Sequence, residues 1–176
     1  MKKIALTGGI GTGKTYISRI FSDMGIPVFN ADANAKEVYK DRDIIDTLHT
    51  YFGNMVFTNG KVDYKKITKY VFGKPEARDL VNRIVSPKVV AKFDAWAEQQ
   101  TAPCVMMETA ILYELEIENL FDQVIVVDAP LDVRIERLKK RDPQLTEKAI
   151  IQRIKAQLPQ EEKVRRADMV INNGLR

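Results

Sequence analysis

The chain has 176 residues, 45% hydrophobic and 30% charged, with a formal net charge of +4. That suits one domain with a sizeable core and an anionic substrate, and the charge is too small to argue for a nucleic-acid partner. One cysteine excludes an internal disulfide and suits a reducing cytoplasm, and no apolar run is long enough to span a bilayer.

Ile4–Leu6 reads as a short buried strand, and because the first residues enter it directly no signal peptide is expected. Gly8 through Thr15 then fit Gly-x-x-x-x-Gly-Lys-Thr, the pattern of a phosphate-binding loop. Four glycines leave the backbone free to curl so that N–H groups point into one concavity, and a helix N-terminus adds partial positive charge there. Lys14 is expected on the β- and γ-phosphates of ATP and the Thr15 hydroxyl on Mg²⁺. Gly9, Gly11, Thr12, Gly13 and Tyr16 complete the expected nucleotide contacts near the loop. The helix carries Tyr16, Ile17, Ile20, Phe21 and Met24 on one face and should end at Gly25, a natural left-handed cap.

Ile26–Phe29 reads as a second strand, with Pro27 at its start or on an edge. Strand, helix, strand gives a parallel unit with a right-handed crossover, and ligands in such sheets sit beyond the carboxyl ends of the strands. Asn30-Ala-Asp32 lies at one of those ends and is expected to face the loop. Asp32 has two readings, which can coexist: the N-cap of a helix beginning near Ala33, or a general base for an acceptor hydroxyl.

From Ala33 to about Gln100 the pattern is mostly helical, broken around Asp41–Asp43, at the turn Thr58–Lys61, at Gly73 and Pro75, and near Ser86-Pro87. This exceeds a simple crossover and reads as a helical acceptor-binding insert, about 33–100. Cys104–Met107 is a third strand, with Cys104 as inert core packing. Glu108 stands at its end, either reaching Mg²⁺ through water or capping the next segment. Val124–Val127 is a fourth strand, apolar enough to be covered on both faces.

Leu131 to Arg141 forms a basic helix in which Arg134, Arg137 and Arg141 share a face. That face is either solvated or part of an arginine lid, about 131–157, closing over the triphosphate. Asp142-Pro143 ends the helix, and Thr146 with Glu147 starts another carrying Arg153 and Gln157. Met169–Ile171 is a fifth strand. The covering helix that would normally follow does not, so a shortened end is expected. His49, the single histidine, is expected to be structural or on the surface, so no histidine chemistry is expected.

The whole pattern resembles the dephospho-coenzyme A kinase family. The carriers are Leu6-Thr-Gly-Gly-Ile-Gly-Thr-Gly-Lys-Thr15, Asn30-Ala-Asp32 where the family has Asp-Ala-Asp, and Ala110-Ile-Leu-Tyr-Glu114 where it has Pro-Leu-Leu-Phe-Glu. Arg137-Leu138, Arg141-Asp142, Thr146, Ala149, Arg153-Ile154 and Gln157 resemble its lid. Ala167-Asp168, Val170-Ile171 and Asn173-Gly174 resemble its closing segment. Asn30 departs from the first Asp, and Ser86-Pro87 stands where His-Pro is common. The resemblance implies an α/β P-loop fold with a five-stranded parallel sheet and a single kinase domain over 1–176. It also implies ATP-dependent phosphorylation of the ribose 3′-hydroxyl of dephospho-coenzyme A, with Asp32 as base. Lys14 and Arg141 are expected at the transferring phosphoryl group and Arg137 at the nucleotide. The oligomeric state is left open.

A shikimate-type kinase also phosphorylates a hydroxyl but would not explain Ala110–Glu114 or the closing segment. A nucleoside monophosphate kinase has an acceptor already ionised and needs no base at Asp32. A GTPase switch would want Asp-x-x-Gly and Asn-Lys-x-Asp, and neither occurs.

Overall fold

The computed structural model describes residues 1–174. In chain order it begins with β1 (Lys2–Thr7), α1 (Lys14–Asp23) and β2 (Val28–Asn30). Then come α2 (Ala31–Val38), α3 (Arg42–Phe52), the short strands β3 (Phe57–Thr58) and β4 (Lys61–Val62), α4 (Tyr64–Val71) and α5 (Pro75–Ala97). The chain continues with β5 (Cys104–Glu108), β6 (Gln123–Asp128), α6 (Leu131–Arg141), α7 (Glu147–Lys155), α8 (Gln160–Arg166) and β7 (Met169–Asn172). The expectation of a shortened end concerns Leu175, Arg176 and whatever would follow, outside the described residues. Two compact units emerge, one of Met1–Asn30 with the chain from Gln100 onward, the other of Ala31–Gln99.

The first unit is built on a five-stranded sheet in the order β2-β5-β1-β6-β7, parallel throughout. Alternation along the strands divides its core. Leu6, Met106, Ile125 and Val127 gather with Ile17 of α1, and Phe21 packs on them. Ala5, Val124 and Val126 gather with Leu112 and Tyr113, against which Leu158, Val164 and Ala167 pack. Both faces are covered, which is why the strands read as continuous apolar runs. α1 stops where expected: Gly25 takes φ 86°, its N–H donates to Ser22 O, and Ile26 N–H reaches back to Phe21 O. Cys104 is only partly buried at the start of β5, so it is a margin residue rather than core packing.

One buried ion pair ties the later helices to the loop after β5. Lys163 of α8 is fully buried. Its ammonium donates to Ala110 O at 2.7 Å and Glu114 Oε1 at 2.8 Å, and Leu158 N–H donates to the same carboxylate oxygen at 2.9 Å. Burial lowers the lysine pKa and the Glu114 charge opposes that fall. Lys163→Ala strands a carboxylate whose other oxygen already lacks a partner. Urea denaturation should show a loss of about 3–5 kcal/mol, and a loss below about 1 kcal/mol would mean the site relaxes or takes up water.

In the second unit α2, α3 and α4 each pack on α5. The Thr58–Lys61 turn closes the β3–β4 hairpin, with Asn59 and Gly60 both at positive φ. Asp63 caps α4 by accepting from Lys65 N–H and Lys66 N–H. The expected break near Ser86-Pro87 is absent, and α5 runs through Pro87. Its buried stripe of Val81, Val85, Val89, Phe93 and Ala97 recurs every four residues on both sides of the proline. That continuous burial outweighs the one backbone hydrogen bond a proline removes. His49 is exposed, its ring edge-on to Phe57 with centroids 5.5 Å apart.

Candidate active site

β1 ends at Thr7 and α1 begins at Lys14, so residues 8–13 form the loop between the central strand and the helix. Gly13 is the N-cap at φ 93°, and a Cβ there would strike the Asn173 side-chain amide. That amide donates to Thr12 O at 2.9 Å. Arg137 Nη1 donates to the same oxygen at 3.2 Å, and its Nη2 donates to Asn173 O at 2.8 Å. The second half of the loop is thereby fixed to α6 and to the end of β7. The N-terminus of α1, with its partial positive charge, follows the loop directly and favours an anion there. Tyr16 is in that turn and exposed. Lys14 Nζ donates to Gly8 O at 2.9 Å and Gly9 O at 3.3 Å, so the ammonium lies over the loop's own carbonyls.

Glu108 caps nothing and instead joins α1 to the strand ends. Its register partners are Leu6 of β1 and Asn30 of β2, and it is buried. Thr15 Oγ1 donates to Glu108 Oε1 at 2.9 Å and Ser18 Oγ to Oε2 at 2.9 Å. Asn30 Nδ2 approaches that second oxygen at 3.4 Å. This explains the departure at Asn30: a neutral donor beside Glu108 avoids facing one carboxylate with another. Among the described residues no three His, Cys, Asp or Glu cluster into a metal cage. A hydroxyl beside one carboxylate nevertheless fits Mg²⁺, which prefers oxygen donors and takes most of its shell from water and phosphate.

Asp32 is not an N-cap. α2 starts at Ala31, two residues earlier than expected, and Asp32 lies exposed within the first turn, where its charge complements the helix dipole. One turn on, Lys36 Nζ stands 5.3 Å from the centroid of the Tyr64 ring, which also meets Tyr39 at 5.9 Å. Burial chiefly, and the charge of Asp32 next, hold the Tyr64 phenol above its ordinary pKa.

The three arginines of α6 part company. Arg134 is buried, its Nε donates to Ile10 O at 3.0 Å, and desolvation lowers its pKa against the pull of Asp128 and Glu161. Arg137 holds the loop as described. Arg141 is exposed at the last residue of the helix. Thr146 caps α7 by accepting from Ala149 N–H, as its sequence suggested.

Sequence reasoning missed α8, and with it Gln160. Its side-chain oxygen accepts from Gly9 N–H at 2.8 Å, and Gln157 Oε1 accepts from Ile10 N–H at 2.7 Å. The signal available for the helix was Pro159 followed by acidic residues, a helix start without apolar periodicity.

The family model for dephospho-CoA kinase matches residues 2–176. The dephospho-CoA kinase of Fusobacterium nucleatum is 33% identical over 175 residues, covering 97% of this chain and 89% of its own. The crystal structure of TT1252 from Thermus thermophilus aligns with a TM-score of 0.87 at 29% identity, covering 99% of this chain and 89% of that one. A structure of dephospho-CoA kinase from Campylobacter jejuni aligns with a TM-score of 0.57 at 25% identity over 99% of this chain and 89% of its own. With the phosphate loop, the strand-end residues and the closing segment all in place along that match, the chain belongs to the dephospho-CoA kinase family.

Proposed function

We propose that this chain transfers the γ-phosphoryl group of ATP to the ribose 3′-hydroxyl of dephospho-CoA, giving ADP and CoA. The observation that carries this is the junction of β1, loop and α1, with Lys14 and Thr15 in its first turn, in a chain of that family. In the reaction the 3′ oxygen forms a bond to the γ-phosphorus, the bond from that phosphorus to the β–γ bridging oxygen breaks, and the hydroxyl proton passes to Asp32. Lys14, Gly9, Gly11, Thr12, Gly13, Thr15, Tyr16 and Arg137 form the nucleotide site, and Arg141, beyond the turns of α6 that are bonded to the loop, brings charge to the phosphoryl group when the outer part of the flap of about 131–157 closes. Mg²⁺ would be held by the Thr15 hydroxyl with Glu108 behind it, and it would supply neutralisation of phosphate charge.

The unit Ala31–Gln99 is the acceptor-binding part. In support, it carries Asp32, Lys36 and the half-exposed Tyr64 together, a carboxylate, a cation and an aromatic face for a nucleotide-bearing alcohol. A single-domain reading over 1–176 treats this unit as an insert in one kinase domain. Among the described residues no helix is long and apolar enough to cross a membrane. A reducing cytoplasm is the setting this reading assigns, with a small-molecule partner and neither nucleic acid nor membrane. The family match favours dephospho-CoA over a shikimate-type acceptor or a nucleoside monophosphate.

Phosphorus NMR of the product tests the regiochemistry: a new monoester at the ribose 3′ position is expected, and a product esterified elsewhere would overturn it. A second expectation concerns the metal. Glu108→Gln keeps the shape but removes the charge behind Thr15, so the Mg²⁺ concentration for half-maximal rate should rise roughly 10-fold or more. An unchanged magnesium titration would make Glu108 a purely structural partner of α1.

A further inference from the structure

The first half of the phosphate loop is held from outside. Gly9 O accepts nearby, from Thr12 N–H, Thr12 Oγ1 and Lys14 Nζ, but Gly9 N–H and both main-chain groups of Ile10 bond to distant side chains. Gly9 N–H goes to Gln160, Ile10 N–H to Gln157, and Ile10 O receives Arg134. Gln157 lies in the four-residue link between α7 and α8 and Gln160 is the first residue of α8, and they line a cleft of about 630 Å³ together with Arg134 and Asp128.

The chemistry at Gln160 needs an amide. Its oxygen accepts from Gly9, while its nitrogen donates to Val127 O and to Asp128 Oδ1, each at 3.0 Å. A glutamate could accept but would set its second oxygen against a carbonyl and a carboxylate. Position 9 needs a glycine for a matching reason: a Cβ would run into the Arg134 guanidinium and lie 2.9 Å from Gln160 Oε1. Residues more than a hundred positions apart are thus fitted to one another around two backbone amides.

We infer that Gln157 and Gln160 are positioning residues that hold the first half of the loop in its phosphate-ready shape, so that ATP affinity depends on them through the backbone of Gly9 and Ile10. This rests on the loop being the ATP site. An amide N–H that loses its acceptor forfeits a hydrogen bond, and a loosened loop must be reordered on binding.

The test uses the full chain and Gln157→Leu, Gln160→Glu and the pair Gln160→Glu with Asp128→Asn. Calorimetry gives the ATP dissociation constant, steady-state kinetics gives KM for dephospho-CoA, and thermal melts report folding. Expected are a roughly tenfold or larger loss of ATP affinity in each single variant and a change of less than about twofold in the KM for dephospho-CoA. Asp128→Asn should recover part of the Gln160→Glu loss, because an amide at position 128 can donate where the Asp128 carboxylate repels. ATP affinity within about twofold of wild type in folded Gln157→Leu and Gln160→Glu would overturn the inference. So would equal losses for both substrates that track a falling melting temperature. If Gln160→Glu does not fold, Gln157→Leu, which removes one bond at a partly buried position, decides the matter. Wild-type protein that fails to bind ATP would instead overturn the parent reading, which separates the two failures.

Discussion

Lys14→Ala abolishes measurable ATP binding in calorimetry and lowers kcat/KM by roughly 10³ or more. The reason lies in what surrounds the ammonium. It rests on Gly8 O and Gly9 O, carbonyls of the loop itself, at the N-terminus of a helix whose dipole favours an anion. That is a cation held where a polyanion must come, and neither arginine bonded to the loop replaces it. Arg137 is bonded to Thr12 O and Asn173 O, and Arg134 is buried against Ile10 O. The melting temperature should move little, because Lys14 is partly exposed and Gly9 O keeps its bonds from Thr12 N–H and Thr12 Oγ1. Retained ATP binding in a folded Lys14→Ala variant would refute the assignment of the loop.

Asp32→Asn gives the second large effect, and it falls on a different quantity. We expect kcat to drop by about 10² to 10⁴ while the ATP dissociation constant stays within a factor of about two. Asparagine keeps the volume and can still accept a hydrogen bond, but it does not take the hydroxyl proton. The helix itself should tolerate the change. Asp32 is exposed in the first turn of α2 and is not its cap, and its share in complementing the helix dipole is worth less than about 1 kcal/mol. Equal losses in rate and in ATP affinity would assign Asp32 a positional role instead.

What the sequence made legible follows from range. The five sheet strands announced themselves through short apolar runs, the central ones buried on both faces, and α1 through its cap at Gly25, which is local chemistry. Helix boundaries set by packing were less visible. Pro87 reads as a break, yet the valine and phenylalanine stripe of α5 carries the helix through it. Asp32 reads as a cap, yet α2 begins on Ala31, which is itself buried. α8 has no apolar period to detect, being charged on most positions, and is held by the buried Lys163 rather than by an apolar face.

The site divides in the same way. Gly8 to Thr15 is contiguous, and its chemistry could be read from spacing alone. Glu108 meets Thr15 and Ser18 across 93 and 90 residues, and Gln160 meets Gly9 across 151, so no local pattern could pair them. The arginines of α6 share a helical face as expected, but one face can hold three fates. Arg134 is sealed in, Arg137 is bonded to main chain, and Arg141 is exposed at the helix end, because the loop covers the first two turns and leaves the last uncovered.

The central claim is that a phosphate loop and the Asp32 carboxylate serve one alcohol, the ribose hydroxyl of dephospho-CoA. Coupled ADP release with ATP, Mg²⁺ and a panel of acceptors tests it most directly. The account predicts turnover with dephospho-CoA and background rates with AMP and shikimate. Turnover with AMP or shikimate that equals or exceeds that with dephospho-CoA would contradict it.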